Sequence, residues 1–319
     1  MISKILRWFA IGLIVTLILV FVIYRWDMKR AYKRVQGKST IIPSAYGDIE
    51  YTENGSGPAV LLIHGSGGGY DQGELFAQAL LGNQFHCITP SRFGYLRSTF
   101  HKDASWDEQA HAYAFLLDHL HIKKVAVVAI SHGGPSALLF GVLHPERVSS
   151  ITLISCGVVS STTQNQEQAN RKGNRLTTIF KYDLAYWIST KLFKKQFMNL
   201  MGVNDAVIAG FTSQQRELVE HFIDYMNPVS LRTKGVHFDN KAVLPGKRIA
   251  AIQAPTLIFH AVDDTLQLYH NATFAASTIP GARLMRFESG GHLLMAVQLP
   301  VIRTAMQKHI LENDDLFRK

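Results

Sequence analysis

The sequence contains little of what disulfide-bonded or metal-binding proteins need. It has only two cysteines, which excludes a disulfide scaffold and a zinc site built from cysteines alone. No segment of about 20 to 50 residues repeats along the chain, which excludes solenoid architectures. Histidines and cysteines nowhere cluster at metal-ligand spacing, so we predict neither a metal nor an organic cofactor. Cys87 and Cys156 are expected to be buried free thiols.

Charge is also scarce, and the excess of positive charge lies at one end of the chain. Charged residues make up 18% of the sequence, and the formal net charge is +9. Residues 1–38 hold eight basic residues and one acidic residue, whereas the other 281 residues hold 25 basic and 23 acidic ones. A protein that binds phosphate backbones would carry its positive charge on the folded domain. Nucleic acid is therefore excluded as the main partner.

A long hydrophobic run lies within this basic segment. Residues 5–24 are apolar apart from Arg7, Gly12 and Thr16. Twenty helical residues reach about 30 Å, the thickness of a bilayer core. No small-residue cleavage site follows, so a retained single-pass anchor in the lipid bilayer is favoured over a cleaved signal peptide. Six basic residues follow the run, whereas only Lys4 before it and Arg7 near its start lie at the other end, and by the positive-inside rule this predicts that the rest of the chain lies in the cytoplasm.

The rest of the chain alternates between short hydrophobic runs and helical patterns. Residues 39–53 favour an antiparallel hairpin. Apolar runs typical of strands buried on both faces follow at Ala59–Ile63, Phe85–Thr89, Val125–Ile130, Ile151–Ser155, Thr256–His260 and Arg283–Phe287. Helical patterns lie between them, at Asp71–Leu81, Trp106–His121, Pro135–Leu143 and Asn271–Thr278, and a last helix is expected over residues 292–313. This alternation predicts an α/β fold with a mostly parallel central sheet flanked by helices.

The alternation stops in one long segment, which divides the chain into three predicted parts. These are a transmembrane anchor with a basic linker (residues 1–38), an α/β core (39–157 and 244–319) and a helical cap (158–243). Within the cap, Arg171–Met201 mixes seven basic with six aromatic residues. This stretch is either an ordinary lid over a pocket or a surface that also rests on anionic lipid. The second interpretation implies a lipophilic ester substrate.

A candidate nucleophile, Ser131, directly follows the third of the buried runs. Ala129 lies two positions before it and Gly133 two positions after it, and a helical pattern begins next. A sharp strand-to-helix turn needs such small neighbours, and it presents the serine side chain above the sheet edge in a strained backbone conformation. The alternative is that Ser131 only caps the helix.

A glycine-rich loop, which starts at His64, follows the first buried run. Glycines let backbone N–H groups approach a ligand closely. An oxyanion hole needs one such N–H together with the N–H of the residue after the nucleophile. We assign these donors to Ser66 and His132, with Gly67 as the next choice for the first. A phosphate-binding loop is the alternative, but no Gly-Lys-Ser/Thr follows.

An acid and a base follow the last two buried runs. Of the neighbouring carboxylates, we choose Asp264 to orient a histidine, and we assign Asp263 to capping the loop. His292 follows a turn of two glycines after the last strand. Ser131, Asp264 and His292 thus each lie just beyond the C-terminal end of a predicted parallel strand, where ligands bind in such sheets.

Residues 39–319 resemble the α/β-hydrolase-fold serine hydrolases of the esterase and lipase type. The resemblance rests on the order Ser, Asp, His and on the motifs His64-Gly65-Ser66-Gly67, Pro90-Ser91-Arg92-Phe93-Gly94-Tyr95, Gly133-Gly134-Pro135, His144-Pro145-Glu146-Arg147-Val148 and Gly290-Gly291-His292. Ala129 and Ala261 depart from it, since family members usually have glycine there. The resemblance implies a catalytic triad of Ser131, Asp264 and His292 on a parallel sheet with a helical cap.

The resemblance leaves several activities open. We expect hydrolysis of a carboxylic ester, or a related acyl bond, in a small hydrophobic substrate through an acyl-enzyme. Ser131 excludes the relatives that use an aspartate nucleophile. The alternatives are an acyltransferase with the same triad, a hydrolase of C–C bonds, and a peptidase, although His132 stands where proline-type aminopeptidases usually have tryptophan. A binding protein without catalysis would have lost a triad member, and none is lost.

Overall fold

The computed structural model of the protein describes residues 2–101, 104–161 and 163–314. Within these residues the centre is an eight-stranded sheet with the strand order β1-β2-β4-β3-β5-β6-β7-β8. The strands are β1 Thr40–Ile42, β2 Ile49–Asn54, β3 Ala59–Ile63, β4 His86–Pro90, β5 Val125–Ile130, β6 Val148–Ile154, β7 Thr256–Ala261 and β8 Arg283–Phe287. β1 and β2 pair antiparallel with their neighbours, and all other pairs are parallel. The predicted α/β fold with a mostly parallel sheet is confirmed.

Helices cover both faces of the sheet because the central strands are apolar on both faces. The helices of the described residues are α1 Ile2–Val35, α2 Tyr70–Leu80, α3 Trp106–His119, α4 Gly134–Leu143, α5 Gln164–Ile179, α6 Asp183–Leu192, α7 Lys194–Leu200, α8 Asp205–Ala209, α9 Ser213–Tyr225, α10 Thr233–Asp239, α11 His270–Thr278, α12 Leu294–Val297 and α13 Leu299–Asn313. Val60 and Leu62 of β3 pack with α2 and α13, whereas Leu61 and Ile63 pack with α3 and α4.

The last helical stretch differs from the sequence prediction. One helix is expected over residues 292–313, but the structure has a short α12 followed by α13. Pro300 lies in the first turn of α13, where proline is favoured, and its missing N–H cannot continue an earlier helix. His292 therefore lies in a short 3₁₀ turn, Gly291–Leu293, ahead of both helices.

Helices α5 to α10 lie between β6 and β7, and we call residues 163–239 the inserted segment. They have a small apolar core of their own, which includes Tyr186, Phe197, Met198, Val219, Ile223 and Met226. Phe180 at the end of α5 contacts the glycine-rich loop after β3, since a Cβ at Gly67 would lie 2.4 Å from its ring. The inserted segment therefore covers the edge of the sheet at which β3 ends.

The N-terminal helix α1 has an exposed apolar half and a half that packs on the protein. Its residues 5–23 are exposed, except for the half-exposed Val20, and they are apolar apart from Arg7, Gly12 and Thr16. By length and composition α1 could cross a membrane. The sequence predicts a basic linker after this run, but the helix instead continues to Val35. Met28, Ala31 and Val35 recur at helical spacing and are buried, so this half of α1 is amphipathic and docks.

The contacts of the docked half of α1 are mostly with the inserted segment. The indole Nε1 of Trp187 donates to Asp27 Oδ2 at 2.9 Å, and the Trp187 ring contacts the Tyr24 ring edge-on at 5.6 Å. The Tyr32 hydroxyl donates to Asp183 Oδ2 at 2.9 Å. The apolar half of α1 is thus joined, without a break in the helix, to a half that is held against the inserted segment.

Candidate active site

Ser131 lies in a sharp turn between β5 and α4. Its φ of 53° is left-handed, which is unusual for a residue with a side chain. The turn is tight because α4 approaches β3 closely, and a Cβ at Gly133 would lie 2.6 Å from the Ile63 carbonyl oxygen. Ala129, where the resembling family usually has glycine, is fully buried in β5 without disturbing this turn.

The structure brings Ser131, His292 and Asp264 together in a chain of hydrogen bonds. His292 Nε2 lies 2.9 Å from Ser131 Oγ, and His292 Nδ1 lies 2.9 Å from Asp264 Oδ2. The other carboxylate oxygen, Oδ1, accepts the backbone N–H groups of Leu266 and Gln267, both at 2.9 Å. The Asp264 carboxylate is therefore held in one orientation with one oxygen directed to the histidine.

Asp263 supports the same histidine from another side. Its Oδ1 accepts the Gly291 N–H at 2.8 Å, and its Oδ2 accepts the side-chain amide of Asn204 at 2.9 Å. Asp263 thus fixes the glycine turn that precedes His292, as the sequence predicts for a loop-capping residue, and it has no contact with the imidazole.

The glycine-rich loop after β3 passes directly beside Ser131. A Cβ at Gly65 would lie 3.0 Å from Ser131 Cβ, and Gly67 has a left-handed φ of 78°. The Ser66 N–H donates a hydrogen bond to no acceptor among the described residues. A backbone donor without a protein acceptor next to a nucleophile can bind a developing oxyanion.

A buried polar network, which the sequence analysis missed, lies beneath this loop. Arg92 donates two parallel hydrogen bonds to Asp239 at 2.7 Å each, and its Nε donates to the His64 carbonyl at 3.0 Å. The Tyr95 hydroxyl donates to Asp239 and lies 3.3 Å from Ser66 Oγ. No local pattern predicts this network, because Asp239 comes from α10 in the inserted segment.

Neutral histidines surround the candidate triad. Burial is the main cause that lowers the pKa values of His64, His132 and His260, and nearby arginine charge lowers that of His64 further. His260 Nε2 lies 3.6 Å from Asp264 Oδ2 and donates to the Gln267 carbonyl oxygen at 2.7 Å. The sequence analysis also missed that His260 lies next to Asp264. The only signal for His260 in the sequence was its position at the end of a strand.

A mostly apolar cavity opens at Ser131 and His292 beneath the inserted segment. The space among its lining atoms amounts to about 700 Å³, which includes open solvent at the mouth. Its apolar lining consists of Phe76, Ile130, Leu176, Phe180, Phe197, Met201, Phe222, Met226, Val236 and Leu266. No lysine or arginine of the described residues lines it. The cavity is suited to an uncharged, lipophilic group.

A second, polar cavity adjoins the first. Its lining includes two charged residues, Asp239 and Lys241, and the amide residues Gln166, Asn170, Asn174, Asn240 and Gln267. His132, Gly173, Asn240 and Leu266 border both cavities. The serine hydroxyl thus lies near a boundary between apolar and polar surroundings.

The two cysteines take no part in the site. Both are free and buried, as predicted, and burial raises the pKa of each thiol to about 12. In the ranges that the structure describes, no group of three or more His, Cys, Asp or Glu is arranged to hold a metal ion.

A serine in a left-handed strand-to-helix turn, hydrogen bonded to a histidine beyond the last strand, is typical of hydrolases built on a parallel sheet. The sequence profile of the family described as alpha/beta hydrolase fold matches residues 58–298, and the chain belongs to this family.

Two curated relatives match most of the chain. The uncharacterized hydrolase YcgS of Bacillus subtilis is 30% identical over 259 residues, which are 78% of this chain and 89% of that protein. The 2-hydroxy-6-oxo-6-phenylhexa-2,4-dienoate hydrolase of Burkholderia cepacia is 26% identical over 254 residues, which are 76% of this chain and 84% of that protein.

A solved structure extends the likeness toward the N-terminus. A structure described as a membrane phospholipase A, a bacterial virulence factor, has a TM-score of 0.68 at 18% identity and covers 95% of this chain and 97% of that one. The residues that follow α1 make up less than 95% of the chain, so the matched region includes part of α1. At this identity the likeness concerns the fold alone.

Proposed function

We propose that this protein is a membrane-anchored serine hydrolase that cleaves a carboxylic ester with a lipophilic acyl chain. The observation that carries the proposal is the chain of hydrogen bonds from Asp264 through His292 to Ser131, at the mouth of an apolar cavity. A serine, an imidazole base and an orienting carboxylate at these distances are what acyl transfer to serine needs.

In the proposed reaction, Ser131 Oγ attacks the ester carbonyl carbon while His292 Nε2 takes the hydroxyl proton. The carbonyl oxygen becomes an oxyanion that accepts hydrogen bonds from the N–H groups of Ser66 and His132. His292 then gives the proton to the leaving alkoxide, and the acyl group remains on Ser131. Water, deprotonated by His292, attacks the acyl-enzyme, and His292 returns this proton to Ser131 Oγ as the bond to the acyl group breaks and the acid is released. Asp264 stabilises the imidazolium that forms twice in this cycle.

The two cavities support an amphiphilic substrate. The apolar cavity would hold the acyl chain, because burial of each CH₂ group there contributes about 0.8 kcal/mol. The polar cavity beyond His132 would receive the leaving alcohol, whose hydroxyl groups can pair with the amide side chains. Ser131 lines the apolar cavity, and its neighbour His132 borders both cavities, so the scissile bond of such an ester would lie near their junction.

Hydrolysis of a C–C bond is the second candidate, and the relative from Burkholderia cepacia favours it. The name of that relative's substrate includes a carboxylate, which in a buried site needs a cationic partner. No lysine or arginine of the described residues lines the apolar cavity next to Ser131, and this favours the neutral ester there, whereas the adjoining polar cavity does include Lys241. An acyltransferase would use the same residues and differ only in replacing water by another acceptor.

We also propose that the apolar half of α1 spans a membrane and that the inserted segment rests against lipid, with the body on the cytoplasmic side. Leu184, Leu192 and Phe193, exposed by 46%, 63% and 53%, lie on or beside α6, the helix that α1 contacts through Trp187. Exposed apolar side chains next to an apolar helix fit a surface that enters the lipid interface.

The lysines of this region are paired with carboxylates. This favours an apolar contact between the inserted segment and the membrane over the electrostatic contact with anionic lipid that the sequence suggested. Lys191, Lys194 and Lys195 lie 3.2, 2.8 and 2.8 Å from the carboxylates of Asp224, Glu220 and Asp205, respectively. These carboxylates neutralise much of the charge that an anionic lipid surface would attract.

Membrane attachment predicts a clear fractionation result. The full chain should stay with the membrane pellet after washes with high salt and with alkaline carbonate, because burial of an apolar helix is not an electrostatic contact. A chain that begins at Arg25, which lacks the apolar run but keeps the docked half of α1, should remain in the supernatant. Release of the full chain by carbonate, or appearance of an N-terminally shortened product, would contradict the anchor.

The proposed substrate class predicts a dependence on acyl-chain length. Turnover of p-nitrophenyl esters, measured from acetate to palmitate in detergent, should rise beyond butyrate. Replacing Leu176, which lines the apolar cavity, by tryptophan should shift the preference toward shorter chains because the side chain occupies space that the acyl group needs. Val301→Trp, an exposed position on α13, is the matched control and should keep the original preference. A preference for acetate in the unchanged protein would argue against a lipid ester.

A further inference from the structure

The docked end of α1 reaches a buried ionic cluster that the proposed chemistry does not use. Asp71, in the first turn of α2, is 2% exposed, and its two oxygens accept from Arg232 Nη1 and Nη2 at 3.0 and 2.9 Å. Arg34 of α1 donates from Nε to the same Oδ2 at 3.1 Å. One carboxylate thus holds two guanidinium groups, one from the N-terminal helix and one from the inserted segment.

The two arginines also share backbone acceptors at the end of α9. Arg34 Nη2 and Arg232 Nη2 donate to the Tyr225 carbonyl at 3.0 and 2.9 Å, and both also donate to the Asn227 carbonyl. The Arg34 guanidinium lies over the Tyr225 ring at 4.2 Å. Every oxygen that accepts a hydrogen bond from Arg34 therefore also accepts one from Arg232 Nη2.

The other side of Arg232 contacts the glycine-rich loop. Its Nη1 donates to the Gly68 carbonyl, two residues after the proposed oxyanion donor Ser66. The Gly68 N–H in turn donates to the Gly65 carbonyl at 3.2 Å, which closes the loop beside Ser131. Arg232 therefore connects the cluster at the end of α1 with the backbone that carries the Ser66 N–H.

Arg34 influences where the Arg232 guanidinium lies. Arg34 bonds to the same acceptors as Arg232 Nη2. The positive charge of Arg34 also repels the Arg232 guanidinium toward the Gly68 carbonyl, on its other side. Arg34 also shields a fully buried cation from water, which strengthens the pairing with Asp71. Without Arg34, Asp71 Oδ2 and the carbonyl oxygens of Tyr225 and Asn227 would each lose one donor. The Arg232 guanidinium would then be drawn toward these oxygens and away from the glycine-rich loop.

We propose that Arg34 is a positioning residue that acts through Arg232 and Gly68 to hold the Ser66 N–H toward the oxyanion. This inference rests on the proposed serine-hydrolase function. It makes turnover depend on docking of the N-terminal helix, in addition to any role of that helix as an anchor.

The test uses the full chain in detergent with p-nitrophenyl butyrate, a soluble ester, so that access through a membrane plays no part. Arg34→Ala should lower kcat by about 10-fold to 100-fold, less than complete loss of an oxyanion donor, and change KM little. Arg34→Lys should retain part of kcat, and methylguanidinium added to Arg34→Ala should restore part of it. Lys33→Ala, an exposed lysine on the same turn, removes the same charge and should leave kcat unchanged.

Hydrogen exchange provides a readout that does not need ester turnover. The loop amides of residues 65–69 should exchange faster in Arg34→Ala than in Lys33→Ala, while the strands keep their protection. Equal exchange and equal kcat in the two variants would overturn the positioning role even though the unchanged protein hydrolyses esters. An unchanged protein without any esterase activity, but with the difference in exchange, would instead refute the proposed function and retain the link from Arg34 to the loop.

Discussion

Ester turnover is expected to fall by about four to six orders of magnitude when Ser131 or His292 is replaced by alanine. Ser131 is the proposed nucleophile and His292 the only base within hydrogen-bond distance of it among the described residues. The double variant should be no slower than the slower single variant, since the two residues act as one unit. A fluorophosphonate probe should label the unchanged protein at Ser131 and leave Ser131→Ala unlabelled.

The neighbouring aspartates provide the matched comparison. Asp264→Asn should reduce turnover strongly, because its carboxylate contacts the imidazole at 2.9 Å. Asp263→Asn should be milder, because Asp263 acts only on the turn before His292. The reverse order of these two effects would assign the acid to Asp263, and fluorophosphonate labelling at another serine would refute the nucleophile assignment.

Replacing Asp239 by alanine is expected to destabilise the folded protein by about 3–5 kcal/mol, because it leaves the Arg92 guanidinium buried without a counterion. Both side chains are almost completely buried and joined by two short hydrogen bonds. Urea unfolding in detergent, followed by tryptophan fluorescence, measures the loss. The substitution also removes the acceptor of the Tyr95 hydroxyl, so turnover should fall as the loop above it loosens.

An exposed pair of the same type is the control. Asp107 and Arg248 also form two parallel hydrogen bonds, but both side chains are partly in water. Asp107→Ala should change the free energy of unfolding by at most about 1 kcal/mol. Similar losses in the two variants would mean that water or another acceptor compensates Arg92 when Asp239 is gone.

The sequence predicted the central sheet well because its strands are continuous apolar runs. The strand bounds of Ala59–Ile63, Val125–Ile130 and Arg283–Phe287 agree between prediction and structure. The break between α12 and α13 was missed because the helical pattern continues across Pro300. Hydrophobic periodicity identifies a helical stretch, but it does not mark a break between two consecutive helices.

The residues of the candidate site were accessible to sequence reasoning for a different reason. Each of Ser131, Asp264 and His292 follows a strand, so the topology of a parallel sheet brings them to one edge. Their hydrogen-bond geometry agrees with the predicted order, and their catalytic roles remain predictions. Ser66 and His132 likewise remain the predicted oxyanion donors.

What could not be predicted depends on contacts between distant segments. Arg92 and Asp239 are 147 positions apart, and Asp71 and Arg232 are 161 apart. Nothing local distinguishes such an arginine from a solvated one. The docked half of α1 did carry a signal, the apolar spacing of Met28, Ala31 and Val35, but the many basic residues around it favoured a linker.

The left-handed backbone at Ser131 lowers the stability of the folded protein at the same position that supplies the proposed nucleophile. A residue with a side chain in this conformation costs about 1–3 kcal/mol relative to an unstrained backbone, and glycine would avoid most of that cost. Glycine has no hydroxyl, so the substitution that best relaxes this turn also removes the proposed nucleophile. Thermostabilised versions of this protein must therefore gain their stability away from residue 131.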